Sequence, residues 1–150
     1  MLNESIIGVW FVFLLMFGNA KGVNIEPLSD EYFQSVLSEI SNAVGIVSEF
    51  EIVHFNDPNK SAAFVRSSLN GKRKIHINDA ATNLDPSLHG DWPWRFVIAH
   101  EIGHFQNGHV FNSVSEIPEV ALNSFNSKRR ELEADYFGGY ALGLMGGIRR

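Results

Sequence analysis

Two histidines spaced four residues apart, His100 and His104, are the residues of this sequence best placed to do chemistry. Because residues i and i+4 lie one turn apart on the same face of a helix, both imidazoles can bind one Zn²⁺ ion. Glu101 directly follows the first histidine, within reach of a metal-bound water that it can deprotonate as a general base. The pattern is an HExxH motif, and it predicts metal-assisted hydrolysis.

A hydrolytic zinc site needs a third protein ligand and an open fourth position for water. A histidine six residues beyond His104 is one arrangement, but Val110 stands at that position. Glu131 and Asp135 offer another, because they lie four residues apart and share one face of a second predicted helix. One carboxylate can then bind zinc while the other supports a ligand histidine. Glu133 points elsewhere on that helix and is expected to be solvated.

The sequence HEIGHxxxxH, from His100 to His109, and the sequence ELEADYFGGYAL, from Glu131 to Leu142, resemble gluzincin metallopeptidases of the type I CAAX prenyl protease family. The chain is especially similar to small single-domain bacterial members, and the similarity covers roughly residues 91–145. The resemblance implies a zincin-like fold and one Zn²⁺ ion per chain. It also implies the metal ligands His100, His104 and Glu131, with Asp135 as a hydrogen-bonding partner behind them.

The function that follows is that of a zinc-dependent metalloendopeptidase, which hydrolyses peptide bonds with a zinc-bound water activated by Glu101. Its partner is then a peptide or protein substrate. Two alternatives stay open, namely a non-catalytic binding module stabilised by zinc and a zinc hydrolase that acts on a non-peptide amide. The presence of Glu101 and the lack of an obvious fourth protein ligand in the sequence favour the enzyme over the binding module.

Composition excludes several other classes of function. The 150-residue chain has no cysteine, which rules out disulfide scaffolds, thiol nucleophiles and cysteine-ligated metals. Its formal net charge is −5 and it has no block of Lys or Arg, so nucleic acid is not an expected partner. With 45% hydrophobic and 19% charged residues, the chain has the composition of one globular domain.

An uninterrupted run of 12 apolar residues, Ile6 to Phe17, lies near the N-terminus. As a helix it would span about 18 Å, less than the roughly 30 Å of a membrane's hydrocarbon core. The small residues Gly18 and Ala20 follow, so residues 1–20 are predicted to be a signal peptide that is cleaved before Lys21. The metallopeptidase domain, residues 21–150, would then be secreted or periplasmic. The alternative is an uncleaved membrane anchor over residues 2–20.

The elements that must position the site form an α+β arrangement, in which a small antiparallel or mixed sheet precedes the HExxH helix and a glutamate-ligand helix. Three glycines in the second helix, at positions 138, 139 and 143, are expected to allow it to approach the HExxH helix closely, since glycine otherwise destabilises a helix. Periodicity and turn residues predict helices over residues 29–44, 94–107 and 127–145, a strand Phe50–Phe55, a hairpin of residues 62–66 and 72–78 around Asn70-Gly71, and a loop over residues 78–90.

Several further residues have predicted supporting roles. A zincin needs an edge strand that holds the substrate extended, and residues 72–78 are predicted to be that strand because they precede the HExxH helix. Asp91 is predicted to cap this helix. Three residues could donate to the oxyanion, Tyr136, Tyr140 and His109, but the expected role of each is structural. His54, His76 and His89 are expected not to bind metal.

Overall fold

The computed structural model of the chain describes residues 29–46, 49–68, 72–110 and 124–146. In chain order these residues form helix α1 (Asp30–Val44), strands β1 (Phe50–Phe55), β2 (Ala63–Ser67) and β3 (Arg73–Asn78), helix α2 (Asp79–Leu84), a 3₁₀ helix (Pro86–Leu88), and helices α3 (Asp91–Gln106) and α4 (Ser124–Leu144). This α+β arrangement with a mixed sheet confirms the predicted fold class and is compatible with a zincin-like fold.

The N-terminal segment lies outside the described residues, so the signal peptide or anchor over residues 1–20 stays a prediction. Among the helices that the structure describes, none has the length and apolar character needed to cross a membrane.

Helix α1 packs on the core through one face, as its apolar spacing predicts. The Ser29 hydroxyl accepts a hydrogen bond from the backbone N–H of Tyr32 at 3.2 Å and thereby caps the first turn. Gly45 ends the helix with a φ of 72°, a left-handed conformation that glycine adopts without steric cost. The buried residues recur at intervals of three and four, and they are Phe33, Val36, Leu37 and Ile40.

The sheet has the strand order β1-β3-β2, so β3 is its central strand. Strand β1 runs parallel to β3, whereas β2 runs antiparallel to it and pairs Val65 with Ile75. The β2–β3 pairing confirms the predicted hairpin, although its turn, Asn70-Gly71, lies outside the described residues. The prediction that residues 72–78 form a substrate-binding edge strand is wrong, because β3 has a partner on both sides. The edge strand that packs against α3 is β2.

The segment between β3 and α3 is helical rather than the predicted loop. Asn78 is fully buried and caps α2 by accepting a hydrogen bond from the N–H of Ala80 at 3.2 Å. Its amide donates to the Asp57 carbonyl at 2.8 Å and to the Ser61 carbonyl at 3.1 Å. One asparagine therefore ends the central strand, starts α2 and holds the β1–β2 connection. The Asp85 carboxylate caps the following 3₁₀ helix in the same way.

Helix α3 begins at Asp91, but Asp91 does not cap it, which corrects the prediction. The capping position belongs to Gly90, whose φ of 122° disfavours any other residue. The Asp91 carboxylate instead accepts hydrogen bonds from the Tyr32 hydroxyl and from Arg95 Nε, both at 2.7 Å. Arg95 also binds Glu39 of α1. These contacts fix the start of α3 against α1.

Helices α3 and α4 approach each other at two glycines. A Cβ atom at Gly103 would lie 3.1 Å from the Cα atom of Ala134, and one at Gly138 would lie 3.0 Å from the ring of Phe96. The close approach predicted for the second helix is thus confirmed at Gly138. The prediction is wrong for Gly139, because a Cβ atom added there would meet no atom within 4 Å. Gly103, inside the HExxH motif, is the second contact point, and the motif alone did not identify it.

Gly103→Ala is expected to destabilise the fold by about 1–3 kcal/mol, because the added methyl group meets the backbone of Ala134. Gly139→Ala is the matched control, since it adds the same group to a helix where the space is open. It is expected to stabilise the fold by roughly 0.5–1 kcal/mol. Urea unfolding of both variants measures the difference. Equal free energies of unfolding for the two variants would contradict the close contact between the helices.

Candidate metal centre

Helix α3 is buried on most of its surface, which gives the HExxH residues a rigid support. Trp94, Ile98 and Ile102 have no exposed surface, and Trp94 packs edge-on against Phe33 of α1. The side chains of His100 and His104 are 15% exposed. Both rings lie one turn apart on the face of α3 that α4 covers, as their spacing predicts.

The two histidines and Glu131 direct three donor atoms to one point. The Nε2 atoms of His100 and His104 are 3.0 Å apart. The Glu131 carboxylate oxygens lie 3.3 Å from His100 Nε2 and 3.5 Å from His104 Nε2. Among the described residues, these three form the one group with metal-ligand character.

The donor set fits zinc. Tetrahedral zinc with bonds of about 2.0–2.1 Å holds its ligand atoms roughly 3.3 Å apart, close to the three observed separations. Two imidazole nitrogens and a carboxylate are also common zinc ligands. When the Nδ1 atoms carry the protons, two Nε2 lone pairs face each other at 3.0 Å, and a cation between them removes their repulsion.

Asp135 lies behind the first histidine, one helical turn beyond Glu131. Its Oδ1 atom is 2.8 Å from His100 Nδ1. A hydrogen bond donated by Nδ1 to this carboxylate leaves Nε2 free of a proton and fixes the ring's orientation. The structure therefore places Glu131 and Asp135 on opposite ring nitrogens of His100.

Charges at this centre favour a cation. Burial lowers the pKa of His100, but hydrogen bonds to Asp135 and Glu131 outweigh burial and raise the pKa to about 9. Hydrogen bonds from His100 and His104 hold the pKa of the Glu131 carboxyl well below its usual range. The cluster thus has an excess of negative charge, which a proton or a metal ion can neutralise.

Glu101 lies on the side of α3 that faces strand β2 and is 8% exposed. Burial raises the pKa of its carboxyl, and the nearby imidazoles of His100 and His104 oppose that rise. The backbone N–H of Val65, on β2, donates a hydrogen bond to the carboxylate. Glu101 is therefore positioned by the edge strand as well as by its own helix.

Glu133 is not merely solvated, which corrects the prediction. Its carboxylate lies 2.9 Å from His109 Nε2 and accepts a hydrogen bond from Arg129 Nε at 2.8 Å. His109 in turn places Nδ1 3.0 Å from His104 Nδ1. The sequence signal for this contact was the third histidine of HEIGHxxxxH, His109.

A cleft opens beside the donor atoms and is lined by polar side chains that the motifs did not identify. Ser127 and Arg130, from the first turns of α4, line it together with His104, His109 and Glu131. Two candidate oxyanion donors lie elsewhere, because Tyr136 is 80% exposed and Tyr140 is 54% exposed on the outer surface of α4. This placement does not support a role for either tyrosine as a donor to the oxyanion.

The other three histidines lie away from the metal centre and have contacts of their own. His54 lies between two carboxylates, with Nδ1 2.6 Å from Asp79 and Nε2 2.9 Å from Asp30. His76 stacks on Phe64 at 4.5 Å on the outer face of the sheet. His89 follows the 3₁₀ helix and does not join the metal-binding group.

Comparison with known proteins gives one finding. The sequence model of Peptidase family M48 matches residues 27–121, which is more than half of the chain and includes the whole HExxH helix. The match ends before Glu131, so the assignment of the third ligand depends on the geometry described above. No curated protein and no solved structure matches the chain significantly.

Proposed function

We propose that this chain, which belongs to peptidase family M48 and is thus a zinc metallopeptidase, cleaves peptide bonds inside its substrates. In this proposal Glu101 is the general base. The observation that carries the proposal is the convergence of His100, His104 and Glu131 beside a buried, oriented glutamate. These three residues would hold one zinc ion. When bound, zinc would polarise the scissile carbonyl and lower the pKa of a coordinated water towards about 7.

Glu101 has the environment of a proton carrier. Burial in the contact between α3 and β2 raises the pKa of its carboxyl, which makes the carboxylate a stronger base than an exposed one. The Val65 N–H occupies one side of the carboxylate and fixes its orientation. In the proposed reaction Glu101 accepts a proton from the attacking water and delivers it to the leaving amine. Asp135 meanwhile holds the His100 ring in the tautomer that presents Nε2.

Strand β2 is the proposed site of substrate binding. Backbone bonds join Ser68 to Lys72 and Asn78 to Ala62, both at 2.8 Å, and they fix the alternation of the antiparallel pair. Residues 64 and 66 therefore bond to β3, while the backbone groups of residues 63, 65 and 67 point to the edge that no described strand pairs with. Because the Val65 N–H already binds Glu101, the groups left for a substrate are the Val65 carbonyl and the backbone groups of residues 63 and 67. An extended peptide can add to this edge as a further strand.

The edge strand favours a peptide substrate over a small amide. It lies against Glu101 through Val65, and along its 5 residues it offers backbone groups to more than one residue of an extended peptide. A small non-peptide amide would use the donor atoms but not the strand. A binding module would have no use for a buried, oriented base.

The proposal is tested by metal analysis and proteolysis of the purified full chain. After dialysis against metal-free buffer we expect about one zinc ion per chain, and we expect cleavage of an unfolded protein at internal peptide bonds. A chelator should abolish cleavage, and added zinc should restore it. Mass spectrometry of the fragments distinguishes internal cleavage from trimming of the ends. A folded chain that binds zinc but cleaves no peptide would contradict the enzyme, and one that takes up no zinc would contradict the metal centre.

A further inference from the structure

Helix α3 ends in a motif that turns the chain back over its last turn. The N–H of Gly108 donates to the Phe105 carbonyl at 3.1 Å, and the N–H of His109 donates to the His104 carbonyl at 2.9 Å. Gly108 has a φ of 69°, so the end of α3 has the two hydrogen bonds and the left-handed residue of a Schellman motif. The backbone therefore places His109 beside His104 before any side-chain contact is considered.

We propose that His109 and Glu133 form a hydrogen-bonded relay that positions the metal ligand His104. The proposal rests on the proposed zinc centre and adds two positioning residues to it. Nδ1 of His104 is 3.0 Å from Nδ1 of His109, and Nε2 of His109 is 2.9 Å from Glu133. The side chain of His109 is 8% exposed, whereas that of Glu133, at the outer end of the relay, is 37% exposed.

The proton positions in the relay follow from the donor geometry. When Nε2 of His104 binds the metal ion, the proton of this ring lies on Nδ1. The Nδ1–H of His104 then donates a hydrogen bond to Nδ1 of His109. Because this Nδ1 is the acceptor, the proton of the His109 ring lies on Nε2. This Nε2–H donates to the Glu133 carboxylate. In the metal-bound centre each of these nitrogen atoms then has one role in the relay.

The two ligand histidines are thus oriented by different means. His100 donates directly to a carboxylate, that of Asp135, whereas His104 reaches the Glu133 carboxylate through a second imidazole. Arg129 binds the other oxygen of Glu133 at 2.8 Å and holds it in place. The relay explains why Glu133, which points away from the donor atoms, is nevertheless engaged.

The test compares zinc affinity and apo stability across variants of the full chain. His109→Phe keeps an aromatic ring but removes both hydrogen bonds, and we expect the zinc dissociation constant to rise about 10–100-fold. His109→Asn retains an acceptor near the Nδ1 position and should recover part of that loss. Glu133→Ala should weaken zinc binding less than His109→Phe does. His76→Phe, which makes the same substitution on the outer sheet face, is the matched control and should leave the affinity unchanged.

Each result either supports or overturns the relay. Competition with a chromogenic chelator gives the affinities, and the visible spectrum of the cobalt-substituted chain reports the orientation of the ligands. A merely structural role would lower the unfolding temperature of the apo variants while leaving zinc affinity and the cobalt spectrum as in the wild type, and this would overturn the proposal. If the wild type binds zinc tightly and His109→Phe does too, the relay is wrong but the metal centre stands. If the wild type binds no zinc, both are wrong.

Discussion

Glu101→Gln is expected to retain zinc and lose about 10²–10⁴-fold in the rate of peptide hydrolysis. Glutamine has nearly the same size as glutamate, and its amide oxygen can still accept the hydrogen bond from the Val65 N–H. It cannot take a proton from water, however. The variant therefore removes the base while leaving the three donor atoms of the metal centre in place.

The measurement is kcat/KM on an internally quenched peptide, made together with the zinc content of the same samples. Glu51→Gln is the matched control, because Glu51 is an exposed residue of β1 that forms a long ion pair with Lys74, at 3.4 Å. It should keep the wild-type rate. Wild-type hydrolysis by Glu101→Gln would show that another group is the base.

Glu131→Gln is expected to weaken zinc binding by more than about 100-fold, beyond the loss typical when a hydrogen-bonding partner of a ligand is removed. The substitution takes away both a ligand oxygen and the negative charge that lies 3.3 Å from His100 Nε2. Peptide hydrolysis should fall with zinc occupancy. The apo fold should persist, because Glu131 is half-exposed and the contact of α3 with α4 depends on apolar residues and glycines.

Zinc titration of Glu131→Gln and Glu133→Gln separates the two glutamates of α4. The second variant keeps an amide oxygen that can accept from His109 Nε2–H, so its loss of affinity should be much the smaller. Wild-type affinity in Glu131→Gln would assign the third ligand to another residue. Equal losses in both variants would show that the effect comes from the charge of the helix and not from coordination.

Local spacing predicted the His100–His104 pair and the Glu131–Asp135 pair because each relation lies within one helix, whereas the choice of Glu131 as the metal ligand came from the family resemblance. The i, i+4 relations that join His100 to His104 and Glu131 to Asp135 fix a shared face whatever the rest of the chain does. Local spacing also predicted the apolar face of α1. The β2–β3 pairing was predicted from Asn70-Gly71, a local signal in the sequence.

Local spacing could not predict contacts between segments that lie far apart in the sequence. Strand β3 became central because β1 pairs with it in parallel, a contact that no local pattern specifies. Asn78 was predicted to begin a loop, but its side chain makes four long-range hydrogen bonds to the β1–β2 connection and a fifth, local one that caps α2. The contact of His109 with Glu133 joins the end of α3 to α4, and it was not predicted because it lies between distant segments.

The interlocked glycines of α3 and α4 determine where the chain can change in length. Gly103 and Gly138 fix the rotation of each helix about its own axis, because neither position has room for a side chain. Inserting one residue between Glu131 and Gly138 would turn the glutamate about 100° away from the histidines. Insertions between Val110 and Ser124 leave both rotations unchanged. Between His100 and Gly138, length variation compatible with a working centre is therefore expected in the connection and not within either helix.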